Sequence, residues 1–184
     1  MEVESKVLLS SDEVDAIVLR LAALGLHLGQ QETQRDVYYK ERGFRENVQG
    51  PGSYLVRLRY KESGTILNMK RLTESDGTWE ENETRVDDGQ IVEEIVRAIG
   101  AEKAVTVTKV RRQCLRDDLE IIIDEVEGMG IFLELAIETV DEPEKARDRI
   151  NLFLAELEID PSRIELRGYP TILLEQQGVR FSVK

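Results

Sequence analysis

Glu2-Val3-Glu4-Ser5-Lys6-Val7 opens the charged part of the chain, and Glu81-Asn82-Glu83-Thr84-Arg85 repeats its spacing of two carboxylates and a base. Successive side chains of an extended strand point to opposite faces, so Glu2, Glu4 and Lys6 share one face while Val3, Ser5 and Val7 share the other. Adjacent carboxylates repel unless positive charge lies between them, supplied by a divalent cation or by an opposing row of bases. A solvated edge strand with alternating charges has the same pattern, so the other strands decide the matter.

Those strands carry matching charges. Tyr54 to Lys61 sets Arg57, Arg59 and Lys61 against Val56, Leu58 and Tyr60. The segment 65–72 adds Asn68 and Lys70, 104–114 adds Lys109, Arg111 and Gln113, and 131–138 opposes Glu134 and Glu138 to Ile131, Leu133, Leu135 and Ile137. The candidate inner faces collect the acids Glu2, Glu4, Glu81, Glu83, Asp124 and Glu134, and the bases Lys6, Arg57, Arg59, Lys70, Arg85, Lys109 and Arg111. If these faces line a barrel, its interior is a polar tunnel suited to a polyanion such as a triphosphate, with Mg2+ or Mn2+ reconciling the acids to that guest. Cross-strand ion pairs on a solvated sheet, each contributing ~0–1 kcal/mol, would use the same residues. The charges alone leave both arrangements open.

Eight strands are expected, over 2–9, 31–40, 54–61, 65–72, 79–86, 104–114, 117–126 and 131–138, enough to close an antiparallel β-barrel. Ser10 with Glu13 forms a capping-box pattern before the helical spacing of Val14, Ile17, Val18, Leu21 and Leu24, which Gly25 ends. Asp88 opens a second such run, Ile91, Val92, Ile95, Val96 and Ile99, ended by Gly100. Strand, helix and glycine stop thus occur twice in the same order, a two-fold pseudo-repeat within an α+β fold. Asp141, Pro143 and Glu144 open a third amphipathic helix with Ala146, Ile150, Phe153, Leu154 and Leu157 on its buried stripe, and a short helix follows from Pro170 to about Gln177. Arg42 to Ser53 lacks periodicity and is expected to be a mobile surface loop that could cover a cavity mouth.

The length of 184 residues predicts one domain over 1–184, and the net charge of −12 argues against a general nucleic-acid or anionic-membrane binder. No apolar run approaches the ~20 residues of a membrane span, and the absence of a signal-peptide core predicts a cytoplasmic protein. Cys114 is the only cysteine and His27 the only histidine, so chemistry falls to carboxylates, amines and guanidiniums.

In order along the chain, Glu2-x-Glu4-x-Lys6, Gln34-Arg35-Asp36-Val37-Tyr38-Tyr39, Leu55-Val56-Arg57-Leu58-Arg59, Lys70, Glu81-Asn82-Glu83-Thr84, Lys109-Val110-Arg111, Asp124 to Gly130, Phe132-Leu133-Glu134 and Tyr169 resemble the CYTH superfamily, the triphosphate tunnel metalloenzymes. The resemblance implies an eight-stranded antiparallel tunnel with flanking helices. It implies that Glu2, Glu4, Asp124 and Glu134 bind Mg2+ or Mn2+, with Glu81 and Glu83 as further acids. Lys6, Arg57, Arg59, Lys70, Lys109 and Arg111 would hold the triphosphate, joined by Arg85, and Lys6 and Glu4 would be catalytic. Family members commonly carry a second carboxylate where this chain has Ala136, and an arginine where it has the Trp79-Glu80 pair; Glu138 lies two residues beyond Ala136 on the same face.

The activities so implied are a class IV adenylate cyclase, closest in the Asp124 to Gly130 run and the arginine pair, or a triphosphatase acting on tripolyphosphate, thiamine triphosphate or a nucleotide. A non-catalytic triphosphate binder is a third outcome. The resemblance also makes a homodimer reasonable. Tyr38, Tyr39 and Trp79 are candidates for stacking on a base, although an aromatic in a sheet more often packs.

Overall fold

The computed structural model describes residues 2–49, 52–72, 78–138 and 142–181, and at positions 72, 78 and 79 the backbone alone. The described chain is α+β. Its strands are Glu2–Leu9 (β1), Glu32–Glu41 (β2), Tyr54–Lys61 (β3), Gly64–Leu72 (β4), Thr78–Val86 (β5), Ala101–Arg116 (β6), Leu119–Val126 (β7) and Gly130–Glu138 (β8). Its helices are Ser11–Ala23 (α1), Gly89–Ala98 (α2), Pro143–Glu156 (α3) and Tyr169–Gln176 (α4). Two compact units emerge, residues 1–32 with 109–166 and residues 33–108 with 167–184.

In the first unit β1 pairs antiparallel with β8, β8 with β7, and β7 with the second half of β6. The register sets Glu2 opposite Glu138, Glu4 opposite Ala136 and Lys6 opposite Glu134, which puts the charged face of β1 beside that of β8. The reverse face carries Val3, Val7, Ile121, Ile123, Leu133, Leu135 and Ile137, and these pack on Ile17 and Leu21 of α1 and on Ile150, Phe153 and Leu154 of α3. Burial of such a side chain contributes ~1.5–3 kcal/mol, so the two helices fix which face of the sheet remains for charge.

The capping box at the start of α1 is formed as its sequence predicts. The Glu13 backbone N–H donates to Ser10 Oγ and the Ser10 backbone N–H donates to Glu13 Oε2. Gly25 follows the helix at φ +77°, and Gly100 follows α2 at φ +107°, both in backbone regions a side chain resists. At α3, Pro143 takes the first turn as expected. Asp141, the expected cap, lies outside the described residues.

In the second unit β2, β3, β4 and β5 pair antiparallel in that order. Val37, Tyr39 and Leu58 on one face pack against Val96 of α2, so the first three expected amphipathic helices all cover apolar sheet faces. The 42–53 segment corrects an expectation. Phe44 opens a 3-10 turn and is fully buried, the Gln49 backbone N–H donates to Arg180 O at 2.8 Å, and Gln49 Nε2 donates to Phe44 O at 2.9 Å. A buried aromatic and a buried amide tie the segment to the rest of its unit, so it is an anchored loop. Gly50 and Pro51 lie outside the described residues.

Candidate functional site

Each unit presents one charged face. In the first, Lys6 of β1 donates from Nζ to Glu4 Oε1 at 2.7 Å and lies 3.5 Å from Glu134 Oε2. Glu134 Oε1 accepts from Arg111 Nη2 at 3.1 Å. Arg111 grips Asp124 with both arms of its fork, Nε to Oδ1 at 2.7 Å and Nη2 to Oδ2 at 2.6 Å, and Lys109 Nζ donates to Asp124 Oδ2 at 2.9 Å. Lys6 is 2 % exposed and Asp124 0 %, so these are pairs held in a low-dielectric setting and not surface bridges.

The strand register explains the arrangement. Arg111 sits directly opposite Asp124, and Lys6 directly opposite Glu134, at the separations where cross-strand side chains meet. A slip of one residue would turn every one of these groups into the apolar layer beneath the helices. Glu2, half-buried, stands opposite Glu138. Glu120 of β7, absent from the expected set, is in register with Ala136, which is itself in register with Glu4 on the other side. Burial, helped by the negative charge of Glu2, raises the Glu120 carboxyl above its ordinary pKa. The small Ala136 side chain therefore lies between two carboxylate-bearing positions.

In the second unit Arg59 grips Asp36, Nε to Oδ1 at 2.7 Å and Nη2 to Oδ2 at 2.7 Å. Asp36 is buried and also accepts from the Tyr38 hydroxyl at 3.5 Å. Arg57 Nη2 lies 3.3 Å from Glu81 Oε1 and 3.5 Å from Glu83 Oε2, Lys70 Nζ lies 2.9 Å from Glu81 Oε2, and Asn68 Nδ2 donates to Glu81 Oε1. Arg57 Nε and Asn68 Oδ1 are buried polar atoms with no hydrogen-bond partner among the described residues. An orphaned donor and acceptor side by side on cross-strand partners are what an incoming polar ligand would satisfy. Glu83 and Arg85 are exposed, at the margin of this face.

Tyr38 shares the charged face of β2, and burial raises its hydroxyl above the ordinary pKa. Tyr39 is a packing residue, fully buried on the opposite face against α2. The Trp79 side chain lies outside the described residues. His27 is exposed and Cys114 half-buried.

Asp36, Lys40 and Glu120 are charged residues of these strand faces that the assembled inner set left out. Asp36 alternates with Gln34 and Tyr38, whose uncharged side chains hide the polar face of β2; Glu120 is separated from Asp124 by the apolar Ile122 on the same face.

Among the described residues no three carboxylate, imidazole or thiolate groups converge to hold a metal ion unaided. The donor chemistry nevertheless fits a hard divalent cation. Glu4 and Glu134 both approach the single ammonium of Lys6, so the face already has a position where two carboxylates meet positive charge. Mg2+ is ordinarily held by one or two carboxylates, water and substrate phosphate, a lesser demand than a full protein cage. No helix among the described residues is long and apolar enough to cross a membrane.

Comparison with known proteins identifies the family. Residues 1–169 match the CYTH domain, and the chain belongs to that family. A protein of Methanocaldococcus jannaschii named "Putative adenylate cyclase MJ0240" is 28% identical over 97% of this chain and 99% of its own. The adenylate cyclase CyaB of Aeromonas hydrophila is 28% identical over 93% of this chain and 87% of its own. Among solved structures, the PH1819 protein of Pyrococcus horikoshii superposes with a TM-score of 0.79 at 24% identity, covering 96% of this chain and 99% of that one. The HpAC1 protein of Hippeastrum, described as having a dominant triphosphatase activity, gives 0.65 at 20% identity, covering 97% and 96%. The eight antiparallel strands and four helices match the triphosphate tunnel fold expected from the sequence.

Proposed function

We propose that the protein is a metal-dependent, triphosphate-processing enzyme whose reaction is that of a class IV adenylate cyclase, converting ATP to cyclic AMP and pyrophosphate. The observation that carries this reading is the buried run Glu4, Lys6, Glu134, Arg111, Asp124, Lys109, in which acid and base alternate through contacts of 2.6–3.5 Å. Buried charge is costly even when paired, so a buried charged run is a candidate for function, and this set matches a polyanion accompanied by a cation. The adenylate cyclase names of two relatives support the choice of reaction.

In this reading Lys6, Lys109 and Arg111 of the first unit bind phosphate oxygens, as do Arg57, Arg59, Lys70 and Arg85 of the second. The ribose 3′-oxygen forms a bond to the α-phosphorus, the bond from that phosphorus to the pyrophosphate oxygen breaks, and the hydroxyl proton is given up to solvent. The Lys6 ammonium is assigned the charge that develops on the transferring phosphoryl group, and Glu4 orients that ammonium through their hydrogen bond. Asp36 holds the Arg59 fork in one orientation. Mg2+ or Mn2+, assigned to Glu2, Glu4, Asp124 and Glu134 with Glu81 and Glu83 as further acids, supplies positive charge against the phosphate oxygens. A homodimer within the cytoplasm is the proposed setting.

The Hippeastrum protein favours a second reading. The same bases would hold tripolyphosphate, thiamine triphosphate or a nucleotide while water attacks a terminal phosphorus. A product assay with Mg2+ or Mn2+ separates the two. Cyclic AMP with equimolar pyrophosphate from ATP establishes the cyclase, orthophosphate without cyclic AMP establishes the triphosphatase, and binding without turnover leaves a triphosphate binder.

A further inference from the structure

Arg57 of β3 and Asn68 of β4 are cross-strand partners on the charged face of the second unit, and both reach the same carboxylate oxygen, Glu81 Oε1. That shared anchor orients each side chain. An ionised carboxylate only accepts, so Asn68 turns Nδ2 toward Glu81 and leaves Oδ1 unused, while Arg57 turns Nη2 toward Glu81 and Glu83 and leaves Nε unused. Arg57 is 6 % exposed and Asn68 0 %, and neither Nε nor Oδ1 has a hydrogen-bond partner among the described residues. Tyr38, in register with Arg57 on its other side, gives its hydroxyl to Asp36. We propose that Arg57 and Asn68 form a subsite for a ribose hydroxyl of a nucleoside triphosphate, whose oxygen accepts from Arg57 Nε and donates to Asn68 Oδ1. This rests on the triphosphate reading of the site and narrows it to a substrate that carries a sugar.

Charged ligand groups satisfy only half of this pair. An ionised phosphate oxygen accepts from Arg57 Nε but meets Asn68 Oδ1 lone pair to lone pair, and a metal ion or an ammonium suits Oδ1 but is repelled by the guanidinium. A neutral group that both accepts and donates is required. A nucleobase edge does so with two atoms and a ring behind them, whereas a hydroxyl does so with one atom, and the near-complete burial of both side chains favours the smaller group. The O–H of a protonated terminal phosphate shares the chemistry of an alcohol, and deoxy analogues separate the two sources. A site that leaves a buried acceptor unpaired in the absence of its ligand rejects an analogue lacking the matching hydroxyl.

Three cleavage-resistant ligands test the subsite: adenosine triphosphate with both phosphate bridges replaced by methylene, its 2′-deoxy form and its 3′-deoxy form, each titrated calorimetrically in the presence of Mn2+. One deoxy form should bind the unaltered protein about tenfold to a hundredfold more weakly than the parent, and it identifies the hydroxyl that is held. Asn68→Leu keeps the size and removes the acceptor; Arg57→Lys keeps the charge and removes Nε. In each variant the parent and deoxy forms should bind alike. A merely structural role for either residue would weaken all three ligands together and leave their ratio unchanged. Circular dichroism checks that each variant is folded, and the unaltered protein with Arg57→Lys carries the test if Asn68→Leu is not.

Equal affinity of the unaltered protein for all three ligands would overturn the hydroxyl subsite and leave the pair to solvent or to a protonated phosphate. A preference for the parent retained in either folded variant would overturn it as well, because the hydroxyl would then be held elsewhere. The triphosphate reading survives both results as long as the parent ligand binds. If the unaltered protein binds neither the parent ligand nor tripolyphosphate in the presence of Mn2+, the triphosphate reading itself fails and the subsite with it.

Discussion

Glu134 divides its carboxylate between two bases, with Oε2 3.5 Å from Lys6 Nζ and Oε1 3.1 Å from Arg111 Nη2. It thereby links the β1 cluster to the one that β6 and β7 build around Asp124, and a change at one end of the run is felt at the other.

Asp124→Asn keeps the shape and removes the charge that Lys109 and Arg111 share. Two buried bases lose their main counter-charge, and the expected destabilisation is ~3–5 kcal/mol. Urea unfolding measures it, and a midpoint equal to that of the unaltered protein would show that the pairing contributes nothing to stability.

Arg57→Ala and Lys6→Ala each delete a cation assigned to phosphate. Hydrogen bonds to charged groups contribute ~1.5–3 kcal/mol, so tripolyphosphate affinity in the presence of metal should fall about tenfold to a hundredfold. Glu4→Gln should instead abolish the dependence of that affinity on Mg2+ or Mn2+. Affinity and metal response retained in all three variants would contradict the site assignment.

Gly89 begins α2 where the helix meets β3 and β4. A Cβ there would come within 2.7 Å of Tyr60 Cε1 and 2.9 Å of Thr65 Cγ2. Gly89→Ala must shift the ring or the helix, at a cost of ~1–3 kcal/mol. Tyr60→Leu in the same chain should relieve most of it, and a thermal melt of the double variant checks this.

Glu13 closes the α1 capping box and pairs with Arg163, and these contacts, the guanidinium first, lower its carboxyl from the ordinary 4.5 to about 2. A depressed carboxyl adds stability that is complete above its unfolded pKa and is lost as pH falls through the folded one. Glu13→Gln should therefore melt at a lower temperature than the unaltered protein near neutral pH. The gap should narrow between about pH 4.5 and about pH 2. A gap constant over that range would assign the effect to packing. The pair is solvent-exposed, so salt should shrink the gap as well.

The strands were legible because charged and apolar residues alternate with period two on either side of clear breaks. Tyr54–Lys61 and Glu2–Leu9 have the bounds their pattern implies. β6 starts at Ala101, three residues earlier than its alternation suggests, because α2 ends at Ala98 and only the two-residue Ile99-Gly100 turn separates helix from strand. The loop at 42–53 was opaque for a different reason. Gln49 is anchored by Arg180 and Phe181, and local sequence carries no record of a contact so distant. Residue types singled out the candidate acids and bases, while the division of Glu134 and of Asp124 between two bases depends on register and could be seen only in the fold.

The pairing of β1 with β8 has a consequence for the order in which a growing chain can fold. Glu2 finds its strand partner at Glu138, whereas β2 to β5 pair with immediate neighbours in sequence. At about 5–20 residues per second, the strand bearing Glu4 and Lys6 waits roughly 7–27 s after its own synthesis for the edge it needs. Through that interval Lys6 lacks its Glu134 partner, and the alternating charge of the strand keeps it from pairing with another chain.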